Sequence, residues 1–133
     1  MKSDAARQMM DAARDKAAEV GKPVSVAIVD AGGSLMALER LGDAPSATVM
    51  VAEGKAVASA VMGRDSGRLE AMAQSLPLII NSLMMRYEGR FTPAQGGVVV
   101  KDGGEVVGAV GVSGATSEED EAIARAGADA YEG

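Results

Sequence analysis

The sequence contains neither cysteine nor histidine. The absence of cysteine excludes disulfide bonds and thiol nucleophiles, and the absence of both residues excludes zinc sites built from them. Without histidine there is no Ser-His-Asp triad and no histidine general base. Any acid–base chemistry must therefore use carboxylates, lysine, tyrosine, hydroxyls or backbone amides.

Aromatic rings and positive charge are also scarce. The chain has two tyrosines and one phenylalanine, and its formal net charge is -6. Nucleic-acid binding depends on clustered Lys and Arg, so the composition argues against a nucleic-acid partner and against attraction to an anionic membrane. The N-terminus lacks the apolar segment of a signal peptide, and no apolar run reaches the length of a bilayer span. We therefore expect a soluble, cytoplasmic protein.

Small apolar residues and glycine are abundant. A length of 133 residues predicts one domain covering residues 1–133. The chain is 47% hydrophobic, with nine methionines and 17 glycines. The core must therefore be built from Ala, Val, Leu, Ile and Met, and the glycines allow close approach of backbone to backbone or to a ligand.

Apolar periodicity and turn residues predict helices grouped around two β-hairpins. The predicted helices cover residues 3–20, 47–62, 66–75, 76–87 and 116–131, and the predicted strands cover residues 24–29, 35–41, 98–100 and 105–113. Strands that pair as hairpins, with helices between them, indicate an α+β fold with an antiparallel sheet.

The segment from Gly111 to Thr116 leads from the second hairpin into the last helix. Free backbone amides at such a junction bind anions or oxyanions, which makes Ser113, Gly114 and Thr116 candidate ligand-binding residues. Four acidic residues follow directly, so a carboxylate or carbonyl oxygen is favoured over a phosphate. A helix cap without any ligand has equal weight, because Thr116 and Glu119 match a capping box.

Two further features lie near this junction in the predicted fold. Asp120 is one turn into the last helix, where it could act as a base, a metal ligand or a partner of the helix dipole. Gln95, Gly96 and Gly97 could bring a side-chain amide and exposed backbone beside Ser113. The alternative for these three residues is a bulge at the start of a strand.

Lys55 and Arg90 are the candidate cations for an anionic ligand, although a solvated position on a helix face is the default for Lys55. Tyr87 could act as an acid or as an axial oxygen ligand for iron, or it could simply be packed. Tyr87 ends the apolar segment LIINSLMMRY. That segment predicts core packing, a pocket wall or a subunit interface, because methionine adapts to irregular surfaces.

Three segments together carry a family resemblance: VSVAIVDAGGSLMALERLGDA, AEGKAVASA and QGGVVVKDGGEVVGAVGVSGATSEEDEAIARAG. Over residues 4–130 the sequence resembles the GlcG/HbpS-like family (DUF336, haem-binding-protein-like) and is similar to the C-terminal domain of PduO-type proteins. The resemblance implies a profilin-like or PAS-like α-β-α sandwich with a five-stranded antiparallel sheet. It places the fifth strand between Arg90 and Gln95, and it implies a homo-oligomer, from dimer to octamer.

The resemblance implies a small ligand-binding or accessory protein, because some members of the family bind haem. Haem-binding members often use a histidine or a threonine as the iron ligand. In this sequence Tyr87, Thr92, Thr116 or a methionine would have to take that role, which makes haem a possible rather than a required cofactor.

The alternative is a cofactor-independent lyase, isomerase or hydratase that acts on a small carbonyl or carboxylate compound. Backbone amides near Gly97 and Ser113 would then stabilise an enolate or oxyanion. In that hypothesis the base is Asp120 or Glu39, and the substrate is held by Lys55 or Arg90.

Overall fold

A computed structural model describes residues 1–133, and it contains five α-helices and four β-strands. In chain order these are α1 (Ser3–Val20), β1 (Ser25–Asp30), β2 (Leu35–Arg40), α2 (Ala47–Met62), α3 (Leu69–Ser75), α4 (Pro77–Arg86), β3 (Gly97–Asp102), β4 (Glu105–Ser113) and α5 (Ser117–Asp129). A short 3-10 turn at Ser66–Arg68 precedes α3.

The four strands form one antiparallel sheet in the order β2-β1-β4-β3. Helices α1 and α5 pack together on one face of the sheet, and α2 packs on the other face. This arrangement confirms the predicted α+β class, the antiparallel sheet and the flanking helices. The predicted number of strands is wrong, because the sheet has four strands rather than five.

The segment 90–95, which was expected to hold the fifth strand, is irregular for a visible reason. Its central amide, from Thr92, donates to the carbonyl oxygen of Gly54 in α2 at 3.0 Å, so the segment is tied to a helix rather than to the sheet. The outer edge of β3 is meanwhile contacted by the side chains of Asp65 and Ser66. Pairing with a further strand at that edge is therefore blocked.

The helix boundaries follow the local signals that the sequence carries. Helix α2 ends at Gly63, which has a φ of 69° that suits glycine, and Pro77 is the first residue of α4 after the predicted break. Thr116 and Glu119 form the predicted capping box of α5. None of the helices combines the length and the apolar character that a bilayer span requires.

Small residues let α2 lie directly against the sheet. Ala52 and Ala56 of α2 are fully buried against the strands. A Cβ atom at Gly111 of β4 would lie 2.6 Å from the backbone nitrogen of Ala56 and would also overlap the carbonyl oxygen of Ala52. The lack of a side chain at Gly111 is therefore a condition for the contact between helix and sheet.

We expect Gly111→Ala to lower the free energy of unfolding by about 1–3 kcal/mol or more, because the added methyl group meets backbone atoms that cannot rotate away. Urea unfolding followed by circular dichroism measures this loss. Gly32→Ala is the matched control, since the nearest atom to a Cβ there is 3.6 Å away. Equal stability of the two variants would contradict the close contact.

Candidate functional site

Lys55 and Asp120 form a buried ion pair that connects the two faces of the sheet. Lys55 belongs to α2 and Asp120 to α5, and they are only 5% and 3% exposed. The Lys55 Nζ atom lies 3.2 Å from Asp120 Oδ2 and donates to the carbonyl oxygen of Val112 at 2.9 Å. The lysine side chain thus reaches past the end of β4 and joins elements that pack on opposite sides.

Gly96 makes room for this lysine. A Cβ atom at Gly96 would lie 2.6 Å from Lys55 Nζ and 2.7 Å from the carbonyl oxygen of Val112, and the φ of Gly96 is 132°, which favours glycine. Gly97 is similarly crowded, by the carbonyl oxygen of Lys55 and the hydroxyl of Ser59. The group that closely approaches this glycine pair is the protein's own α2 helix.

The amides at the start of α5 also have internal partners. Asp120 Oδ1 accepts from the backbone nitrogen of Ala115 at 2.9 Å, and Glu119 Oε1 accepts from that of Thr116 at 3.1 Å. Thr116 Oγ1 accepts in turn from the Glu119 amide. The amides of Ala115 and Thr116 are therefore bonded to carboxylates of the same chain, those of Asp120 and Glu119.

Burial raises the pKa of the Asp120 carboxyl above its ordinary value, and this effect outweighs the hydrogen bonds from Ala115 and Gly114 and the positive charge of Lys55, all of which lower it. At Glu119 the opposite holds. Hydrogen bonds from Thr116 lower the pKa of that carboxyl, because they stabilise its charged form. The pKa values of these two neighbouring carboxyl groups are thus shifted in opposite directions by their surroundings.

The other predicted site residues lie apart from the Lys55–Asp120 pair and are held by other contacts. Glu39 is on the edge strand β2 and forms an ion pair with Arg14. Arg90 donates to the carbonyl oxygen of Gly33 at 2.9 Å and lies 3.4 Å from Glu53. The structure does not bring Glu39 or Arg90 to the residues with which they were expected to act.

Tyr87 lies at the end of α4, where its ring stacks on Phe91 with 5.9 Å between the centroids. Gln95 borders the Gly67 turn, and its backbone nitrogen donates to Glu70 at 3.0 Å. Ser113 is buried at the end of β4 opposite Ser25. Of the predicted site residues, Gly114 and Thr116 bond to Asp120 through their backbone groups, and Gly96 borders the Lys55 side chain.

Sequence reasoning missed the part that Ser66 plays. Its hydroxyl accepts from the amide of Gly97 at 2.8 Å and donates to the carbonyl oxygen of Ala94, so it fixes the start of β3. A serine in a turn carries no local signal of a partner 31 residues away. The capping pattern at residues 65–66 was the only hint that this turn has a structural role.

The surface clefts of the chain lie away from the buried pair. One groove of about 370 Å³ runs between α1 and β2, and a shallow cleft of about 490 Å³ borders α4 at Leu78, Ser82 and Met85. Neither contains the glycine pair or the start of α5. In the single chain, the Lys55–Asp120 pair therefore connects internal elements and lines none of the surface clefts.

We expect Lys55→Met to lower the free energy of unfolding by about 3–5 kcal/mol, because it leaves the buried Asp120 carboxyl without its partner. Asp120→Asn should cost less, because burial already disfavours the charged form of this carboxyl. The double variant should lose far less than the sum of the two, with a coupling energy above about 1 kcal/mol. Urea unfolding of the wild type, the two single variants and the double variant completes this double-mutant cycle. Additive losses would show that the two groups do not interact.

The raised pKa of Asp120 also gives a pH test. A carboxyl whose pKa is higher in the folded state contributes stability that is complete below its unfolded pKa and is lost as pH rises through the folded pKa. The wild type should therefore gain stability relative to Asp120→Asn as the pH falls from about 7 to about 4. Glu118→Gln, on the exposed side of α5, is the control. A stability difference between the wild type and Asp120→Asn that narrows on acidification would contradict the raised pKa of Asp120.

Comparisons with known proteins agree with this fold. The chain is 30% identical over 127 residues to a 15.0 kDa protein encoded between dhaT and dhaS in Citrobacter freundii, with 96% of this chain and 89% of the relative covered. The structure of ORFY from Klebsiella pneumoniae, a DUF336 protein, superposes with a TM-score of 0.88 at 28% identity, covering 98% of this chain and 89% of ORFY.

A structure described as a PduOC:heme complex superposes with a TM-score of 0.85 at 27% identity, covering 98% of this chain and 94% of that one. The family described as "Haem degrading protein HbpS-like" matches residues 1–129. With nearly the whole chain matched, the predicted resemblance is confirmed, and the protein belongs to the HbpS-like (DUF336) family.

Proposed function

We propose that this protein is a non-catalytic, homo-oligomeric binding protein whose small-molecule ligand is an apolar compound held on the surface of α4. The observation that carries this proposal is the exposure of α4. Leu78 and Met85 are 83% and 79% exposed, Ile79 is 55% exposed, and Ile80 is the only fully buried residue of the helix. Contiguous apolar surface of this kind marks a binding region in soluble proteins.

The charge pattern around α4 supports the same proposal. The protein has a net charge of -6, yet residues 71–87 contain no acidic residue and a single charged side chain, Arg86. Arg90 follows close by, and its side chain is 45% exposed. An apolar ligand with an anionic edge would meet little repulsion on this surface, whereas carboxylates oppose it over much of the rest of the chain.

Haem is the compound to test first, because a relative of similar fold forms a haem complex. Histidine and cysteine are absent, so the candidate donor atoms are the sulfur of Met85, which lines the cleft beside Leu78, and the oxygen of Tyr87 at the end of the helix. Tyrosine and methionine both serve as axial ligands of haem iron in proteins. These residues would hold the iron, and a bound haem would supply ligand-binding or redox chemistry.

The enzymatic alternative finds no support in the site. It required free amides near Ser113 and a base at Asp120, but the Ala115 amide and the Asp120 carboxylate bond to each other. Lys55 is paired with Asp120 as well, and Glu39 lies elsewhere with Arg14. We therefore propose that these residues have structural rather than catalytic roles. We also propose that the protein is cytoplasmic.

Titration with hemin tests the proposal directly. We expect saturable binding with a shifted Soret band, a further band shift and roughly tenfold weaker binding in Tyr87→Phe, and weaker binding in Met85→Gln. A flat titration at micromolar hemin would remove haem as the ligand. Thr116→Val is the matched control, since it should cost about 0.5–2 kcal/mol of stability through the lost cap without changing the spectrum.

Met85→Gln, together with Leu78→Gln, separates a ligand surface from a subunit contact. If Met85→Gln and Leu78→Gln change the molecular mass in solution but leave the hemin titration unaltered, α4 is an interface between copies and the ligand proposal fails. If they change the titration alone, the proposal stands.

A further inference from the structure

The two edges of the sheet differ in how their backbone groups are satisfied. Along β3, the outward amides of Gly97 and Val99 donate to Ser66 Oγ at 2.8 Å and to Asp65 Oδ1 at 3.1 Å. Asp65 is itself held by Arg125 at 2.6 Å. Side chains thus cover this edge, which is a common way to prevent edge-to-edge association.

The edge formed by β2 is open. The amide of Leu41 donates to the carbonyl oxygen of Val24, and because hydrogen-bonded pairs alternate in an antiparallel ladder, Glu39 and Ala37 also face β1. Leu38 and Arg40 therefore direct their backbone groups outward, whereas a register shift opposite Val29 interrupts this alternation at Met36. None of these outward amides has a hydrogen-bond partner within the chain, and such a row is a template for another strand.

A groove lies beside this edge, between α1 and β2. Its volume is about 370 Å³, and its lining includes Arg7, Asp11, Ala37 and Glu39. Glu39 is fixed in place by Arg14 of α1, whereas Arg7 has no carboxylate within 4.0 Å. A groove between an edge strand and a helix is the setting in which proteins accept an added strand.

We propose that β2 pairs antiparallel with β2 of a second copy, around a two-fold axis at Leu38, and so joins the two sheets into one. In this register Leu38 faces Leu38 of the second copy, and their outward amides and carbonyls become partners. Ala37 faces Glu39 of the second copy on the α1 side of the sheet. No like charges stand opposite each other.

Charge complementarity favours a second copy over an unrelated peptide. The contact of Glu39 with Arg14 places α1 alongside β2, and Arg7 lies two turns earlier on that helix, toward Ala37. Glu39 of the second copy, opposite Ala37, is thereby brought to the side chain of Arg7, which lacks a partner within its own chain. The two-fold axis repeats this contact, so each copy contributes one Arg7 and one Glu39 to the two contacts.

Removal of one backbone donor tests the pairing. Leu38→Pro deletes an outward amide that the β1 ladder does not use, so the variant should keep its fold and its circular dichroism spectrum. We expect its self-association, measured by sedimentation velocity across a concentration series, to weaken by roughly tenfold or more. Leu38→Val keeps the amide and should associate like the wild type.

A charge exchange tests the register independently of backbone changes. Arg7→Glu places like charges at both repeats of the contact, and so does Glu39→Lys in a separate preparation, so each variant alone should associate roughly tenfold more weakly. Mixing the two preparations restores opposite charges at both contacts and should restore association. Wild-type association in Leu38→Pro, no gain on mixing, or a wild type that is monomeric throughout would each overturn the proposal.

Discussion

The contact between Lys55 and Asp120 ties together the elements on which the rest of the molecule depends. It spans the sheet at the point where β3 begins and β4 ends, and it joins α2 on one face to α5 on the other. Burial of two charges costs several kcal/mol per ion before their attraction is counted, so the pair is a poor source of net stability. Its consequence is geometric, because it links α2, the end of β4 and the start of α5 through the Lys55 ammonium group and the Asp120 carboxylate.

Much of the glycine pattern follows from this geometry. Gly96 leaves space for the lysine head group, and Gly111 lets α2 approach the sheet closely enough for the lysine to reach across. The helix itself presents alanine where it meets the strands. A core so poor in aromatic rings is thus consistent with thin, closely spaced layers, in which small side chains leave few voids.

The structure separates internal polar chemistry from outward binding features. The start of α5, which has the general form of an anion site, is occupied by the protein's own carboxylates. Two surfaces that lack internal partners are the apolar side of α4 and the open edge of β2. These surfaces are therefore where a ligand or a second copy would bind. A substitution of Asp120 would change the stability of the fold and would affect binding only indirectly.

The sequence by itself determined the α+β class, the two hairpins, the limits of most helices and the family. These depend on residues close together in the chain, such as Pro77 at a helix start, Gly63 at a helix end and the Thr116–Glu119 cap. It also identified Asp120, Lys55 and the glycine pair as candidate site residues, although its default for Lys55 was a solvated position, whereas the side chain is buried. Only the tertiary structure decided that they contact one another, because Lys55 and Asp120 are 65 residues apart and no local pattern encodes their distance. The missing fifth strand has the same cause, since the side chains that cover the β3 edge come from a distant turn.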